Sequence, residues 1–217
     1  DPTSFVTATI EEVQKTLFEA FVLVVVVVFL FLGSLRATLI PTLAVPVSLI
    51  GTFMVLKGIG YSANTVSLLA IVLAIGIVVD DAIVVVENVE RVMEEHPNLT
   101  PAEATKKAMG EITAPIIAIT LVLLAVFVPL AFIPGISGEL FRQFAVTVAV
   151  AMALSAVNAL TLSPALSSIL LKPAHGPRRG AIGYVMRSID RVRDLYGAVV
   201  ARIVRISIIG IAMVVGA

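Results

Sequence analysis

Charged residues in this chain are spaced too widely for a soluble fold. Sixteen uncharged residues separate Glu19 from Arg36, and 20 separate Arg36 from Lys57. A further 22 lie between Lys57 and Asp80, 27 between Glu111 and Glu139, and 29 between Arg142 and Lys172. A helix needs roughly 20 mostly apolar residues to cross the hydrocarbon core of a bilayer. The spacing therefore predicts five spans, at about 16–35, 37–57, 64–89, 112–134 and 144–171. Composition agrees: 59% of the chain is hydrophobic and 14% charged, against ~25% charged in ordinary soluble domains. The expected fold class is all-α, a polytopic transmembrane helix bundle.

A sixth apolar run begins near Ile203 and reaches Ala217. It gives about 22 Å of helix, short of a ~30 Å core. With an amino terminus at Asp1 and no methionine there, the reading is a piece of a longer protein whose sixth span is partial. Net charge is zero, so bulk charge points to no nucleic-acid partner. Cysteine is absent, which removes disulfides from the argument. The first apolar segment is no signal peptide, because Glu11, Glu12 and Glu19 precede it and no cleavage-like site follows. His96 and His175 fall outside the spans, and no pattern resembles a metal site.

The third span contains the feature that needs explaining, the adjacent pair Asp80 and Asp81. Each Asp near a helix centre costs ~2.5–3.5 kcal/mol on insertion scales, so the two cost ~5–7. The fifteen Ile, Leu and Val residues between 65 and 89 return roughly 4.5–9 kcal/mol. The helix only about breaks even. It needs neighbours, internal water or a cation to hold both acids. Consecutive helical residues point ~100° apart, so the carboxylates share no narrow stripe but can flank one cavity. In a low dielectric two nearby carboxylates cannot both stay charged cheaply, which suits reversible protonation. Gly76, one turn earlier on the face of Asp80, would admit another helix or water. The competing reading is a buried ion pair that only fixes packing.

Other signals set the organisation. Residues 3–8 are β-branched-rich and are expected to end a strand, with Thr9 and Glu12 capping a helix that enters the first span. Gly33 and Ser34 end that span. Pro41 and Pro46 fall in the second, where neighbouring helices can satisfy freed backbone groups. Asn64 reads as a cap. Thr100, Pro101 and Glu103 form a capping box before a short helix over about 101–110. Pro129 and Pro134 fall late in the fourth span, and IPGISG (133–138) is a turn. Asn158 and Thr161 are expected to bond between helices, and Glu87 and Glu90 to be solvated. Residues 182–199 alternate apolar and charged positions at three- and four-residue spacing, as in an amphipathic helix at a membrane surface. Spans alternate sides, which puts 12 of the 15 Lys and Arg on one side. Positive charge marks that side as cytoplasmic.

The run AIGIVVDDAIVVVENVERVM (74–93) closely resembles the fourth membrane helix of resistance–nodulation–division multidrug efflux pumps of the hydrophobe/amphiphile branch. FLFLGSLRATLIPTLAVPVSLIGTF (29–53), NTVSLLAIVLAIG (64–76), AVFVPLAFIPG (125–135), FRQFAVT (141–147) and ALTLSPAL (159–166) match in order. The resemblance covers essentially the whole chain. It implies a secondary transporter of the bacterial inner membrane that exchanges protons for drugs, hence no enzyme and no cofactor, with protons as the coupling ion. It further implies a homotrimer, a periplasmic adaptor and an outer-membrane channel as partners, and Asp80 and Asp81 as proton-relay carboxylates.

On this reading, residues 1–15 end a periplasmic porter region and lead into the membrane. Residues 16–171 hold the five helices. Residues 172–201 form a cytoplasmic loop and surface helix, and 202–217 start a truncated helix. In the family a lysine on the tenth helix pairs with the acids and drugs bind in periplasmic domains, both beyond this sequence. Metal-exporting members usually keep one acid of the pair, so two favour drugs. The alternatives are a non-transporting membrane scaffold or truncated fragment, or another member of the superfamily that exports metals, proteins or lipids.

Overall fold

The computed structural model describes residues 2–61, 64–172 and 195–202. Among the described residues there is no strand, and six helices form the first compact unit, Asp1–Ala174. These are α1 (Pro2–Leu32), α2 (Leu35–Gly58), α3 (Thr65–Glu95), α4 (Pro101–Leu130), α5 (Ile136–Leu160) and α6 (Leu162–Leu170). Five segments are long and apolar enough to cross a membrane, with α5 and α6 together supplying the fifth. The expected all-α bundle is what the chain forms.

α3 is the axis of the bundle and touches each of the other five helices. Its buried positions, among them Ala70, Ala74, Val78, Ala82, Val85 and Val89, recur at three- and four-residue spacing. That spacing makes a wide stripe along one side of a helix. The alanines matter here, because small side chains let backbones approach closely where no hydrophobic effect drives helices together. Ala37 and Ala44 on α2 and Ala145, Ala151 and Ala159 on α5 are buried in the same way. α1 differs: most of its apolar surface stays open, with Phe18, Leu23 and Phe31 about two-thirds exposed. Such a face suits lipid.

Several boundaries differ from expectation, each for a physical reason. Residues 3–8 are helical, so Thr9 lies inside α1 rather than at its start. A β-branched run becomes a strand only beside a partner strand. Proline at the first position of α1 is pre-set for a helix. Residues 101–110 are no separate short helix, because α4 runs unbroken through Gly110 and Pro115. α4 stops at Leu130 rather than near 134, since the residue before Pro134 is steered out of helical geometry. The turn is therefore earlier than IPGISG, and α5 already begins at Ile136. The fifth span is broken at Thr161. Pro164 has no N–H to give the Leu160 carbonyl, and its ring crowds that group.

The capping signals fare better. Asn64 and Ser67 satisfy each other's backbone amides at the start of α3. Thr100 and Glu103 do the same for α4, with Pro101 at the first helical position. Gly33, at φ 59, makes the tight link from α1 to α2, and Ser34 caps the latter.

In the second unit, His175–Ala217, residues 195–202 are helical, with Leu195, Tyr196 and Val199 exposed. The rest of the proposed amphipathic helix (182–194) and the apolar run 203–217 lie outside the described residues.

Candidate functional site: the acidic pair of the central helix

Asp80 is the middle residue of α3, which extends equally far to Thr65 and to Glu95. The pair therefore sits at the centre of the helix that contacts every other. From Thr65 to Val86, Asp80 and Asp81 are the only charged residues.

The two carboxylates part ways, as the ~100° step between consecutive residues requires. Asp81 is half-buried and turns toward α5. There the Ser155 hydroxyl donates to its Oδ2 over 2.5 Å. Ser155 is itself fully buried, and its Oγ also lies 3.5 Å from the Val78 carbonyl, one turn before Asp81. Asp80 is exposed, about 100° round the helix, in line with Leu69, Leu73, Gly76, Val84 and Glu87. A Cβ on Gly76 would meet nothing within 4 Å, so this glycine serves no close packing among the described residues. Neither acid forms an ion pair among the described residues.

Ser155 was not among the positions the sequence pointed to. Its signal was faint: one of several hydroxyl residues in an apolar span, one turn before Asn158. Asn158 does bond between helices, its Nδ2 donating to Ser48 Oγ on α2 over 2.6 Å. Thr161 does not, since its hydroxyl returns to the Val157 carbonyl of its own helix. α5 therefore reaches two neighbours through polar groups three residues apart. Ser155 holds α3 and Asn158 holds α2.

A second polar cluster closes the cytoplasm-assigned ends of α3 and α4. Arg91 donates to both Glu95 carboxylate oxygens at 3.0 Å, to Asn88 at 3.3 Å and to Glu111 on α4 at 2.5 Å. Lys107 meets His96 Nε2 at 2.7 Å. Glu87 is exposed, as expected of a solvated group, and Glu90 is half-buried.

The pair stands in a sequence context shared with known transporters. A profile of the AcrB/AcrD/AcrF family matches residues 1–217. The chain belongs to the AcrB/AcrD/AcrF family. Within it, the multidrug export protein AcrF of Escherichia coli K12 is 51% identical over 207 residues, covering 94% of this chain and 20% of AcrF. The toluene efflux pump membrane transporter TtgE of Pseudomonas putida is 51% identical over 195 residues, 88% of this chain and 18% of TtgE. The multidrug resistance protein MdtF of E. coli K12 is 52% identical over 174 residues, 80% of this chain and 17% of MdtF. The chain thus spans about a fifth of the length of these relatives. Family membership together with five apolar helices places the segment in the bacterial inner membrane as a multi-pass protein.

Proposed function

We propose that this segment is the proton-handling membrane portion of a multidrug efflux antiporter, with Asp80 and Asp81 as the groups that take up and release protons. The observation that carries the reading is the placement of two carboxylates at the midpoint of the central helix, with no ion-pair partner among the described residues. Ionisable side chains at that depth are costly and mark ion or proton pathways. A change of charge on α3 reaches five helices at once, because all five pack on it. The names of AcrF, MdtF and TtgE, which refer to drug and toluene export, support drugs and apolar solvents as the cargo.

The energetics are adequate. One proton moving down 100 mV supplies ~2.3 kcal/mol. At ~1.4 kcal/mol per decade, that sustains a little under a hundredfold gradient of exported compound. Drug binding itself, the homotrimer, the periplasmic adaptor and the outer-membrane channel belong to the proposal for the whole transporter. So does the division into a lead-in region (1–15), a cytoplasmic loop with surface helix (172–201) and a further membrane helix from 202.

The test is efflux of a fluorescent drug from cells that carry the full-length transporter. Asp80→Asn and Asp81→Asn should each abolish efflux at normal membrane levels and normal trimer assembly. Efflux at the unsubstituted rate in either variant would overturn that residue's relay role.

A further inference from the structure

The Ser155 hydroxyl has one proton and two acceptors within reach, the Asp81 carboxylate at 2.5 Å and the Val78 carbonyl at 3.5 Å. We propose that Ser155 is a positioning residue that reads the charge state of Asp81 and passes it to α5. The inference rests on the proton-relay reading given above.

With Asp81 ionised, the serine O–H points at Oδ2 and makes a charge-assisted bond, about twice as strong as a neutral one. When Asp81 takes a proton from water, the new carboxyl O–H donates to Ser155 Oγ instead. The serine proton then rotates to the Val78 carbonyl, which keeps a free lone pair beyond its helical bond. The proton comes from hydronium, so one O–H bond breaks there, leaving water, as the O–H on Asp81 forms; the reverse transfer to water restores the carboxylate and hydronium. The polar atoms of this joint stay satisfied in both arrangements, so the exchange is a two-state device rather than a loss of contact.

Its output is the α3–α5 joint. Protonation replaces a charge-assisted bond between the two helices by neutral ones and shifts a second bond one turn along α3. Three residues on, α5 is fastened to α2 through Asn158 and Ser48, so movement at Ser155 is transmitted to a third helix. Few other charges intrude. Asp80, next in the chain and about 100° round α3, is the nearest charge to Asp81. On α5 the charges are Glu139 and Arg142, in its first two turns. Arg36 and Lys57 sit at the ends of α2, and α6 has none. Those of α4 lie at or before Glu111, and those of α1 at or before Glu19.

The experiment is a pH titration of the Asp81 carboxyl by difference infrared spectroscopy in the full-length transporter in lipid, the band being assigned by its loss in Asp81→Asn. Ser155→Ala should move the midpoint by about one pH unit to the alkaline side, because the lost hydroxyl favoured the ionised form. It should also shift the carboxyl C=O frequency. Ser155→Thr, which keeps a hydroxyl, should restore both. An unchanged midpoint and frequency in Ser155→Ala would overturn the inference, and so would a Thr variant that behaves as Ala does. Drug efflux by Asp81→Asn is measured in parallel. Wild-type efflux there removes the relay reading, whereas a silent Asp81→Asn with an unmoved Ser155→Ala titration removes this inference alone.

Discussion

Asn158 and Ser48 meet between α5 and α2, the amide Nδ2 donating to the serine Oγ over 2.6 Å. Ser48 is buried, and both partners lie within apolar spans. Lipid offers no replacement for a lost partner, although the unfolded chain in a membrane also finds some. A double-mutant cycle with Ser48→Ala and Asn158→Leu, read by denaturant unfolding in bicelles, should give a coupling of about 0.6–1.7 kcal/mol. Simple additivity of the two substitutions would show that the bond holds nothing together.

Two glycines should respond to alanine with opposite signs. At Gly138 a Cβ would collide with the backbone carbonyl of Ile133, which no side-chain rotation can relieve. Gly138→Ala should therefore destabilise the bundle by about 1–3 kcal/mol, the usual scale for forced overpacking. Gly110 lies exposed inside α4 with nothing within 4 Å of its added Cβ. Gly110→Ala should stabilise by about 0.5–1 kcal/mol, because alanine loses less backbone freedom in a helix. Thermal melts of both variants check the pair.

The start of α4 carries a pH-dependent cap. α4 is about 45 Å long at ~1.5 Å per residue, so its charged first turns, Glu103 included, lie outside the hydrocarbon. The Thr100 backbone amide, and then its hydroxyl, hold the Glu103 carboxyl below the usual glutamate range. A lowered value means that the cap's contribution is complete above the ordinary glutamate value. It is lost as pH falls through the lower, folded one. Amide hydrogen exchange at Thr100 and Glu103 should accelerate over that acidic window, and Glu103→Gln should remove the pH dependence. Thr100→Ala should cost the helix start ~1 kcal/mol at neutral pH.

What the sequence made legible follows from what its signals measure. The charge-free intervals report hydrocarbon thickness, and each of the five spans overlaps the interval that predicts it, though several ends differ. The caps at Asn64 and Thr100 were readable because their chemistry is local, a side chain bonding an amide three residues away. Propensity misled at residues 3–8, where β-branched residues, with no strand to pair with among the described residues, join α1. Pro164 was visible in the sequence, yet apolar length suggested a continuous helix through Thr161.

For the site, the pair itself stood out through its cost of burial. The direction of each acid did not. Whether Asp81 or Asp80 turns inward depends on how α3 is rotated against α5, and that is decided by packing between segments far apart in the chain. Ser155 was hidden for the same reason. A serine in an apolar span is common, and only tertiary packing brings this one to a carboxylate.

The most direct measurement is proton-coupled flux in proteoliposomes containing the full-length transporter, energised by an imposed pH gradient and nothing else. The account predicts that a lipophilic drug moves against its own gradient as protons move the other way, and that Asp81→Asn stops both flows together. Undiminished drug and proton movement in Asp81→Asn, at the same protein density, would contradict it.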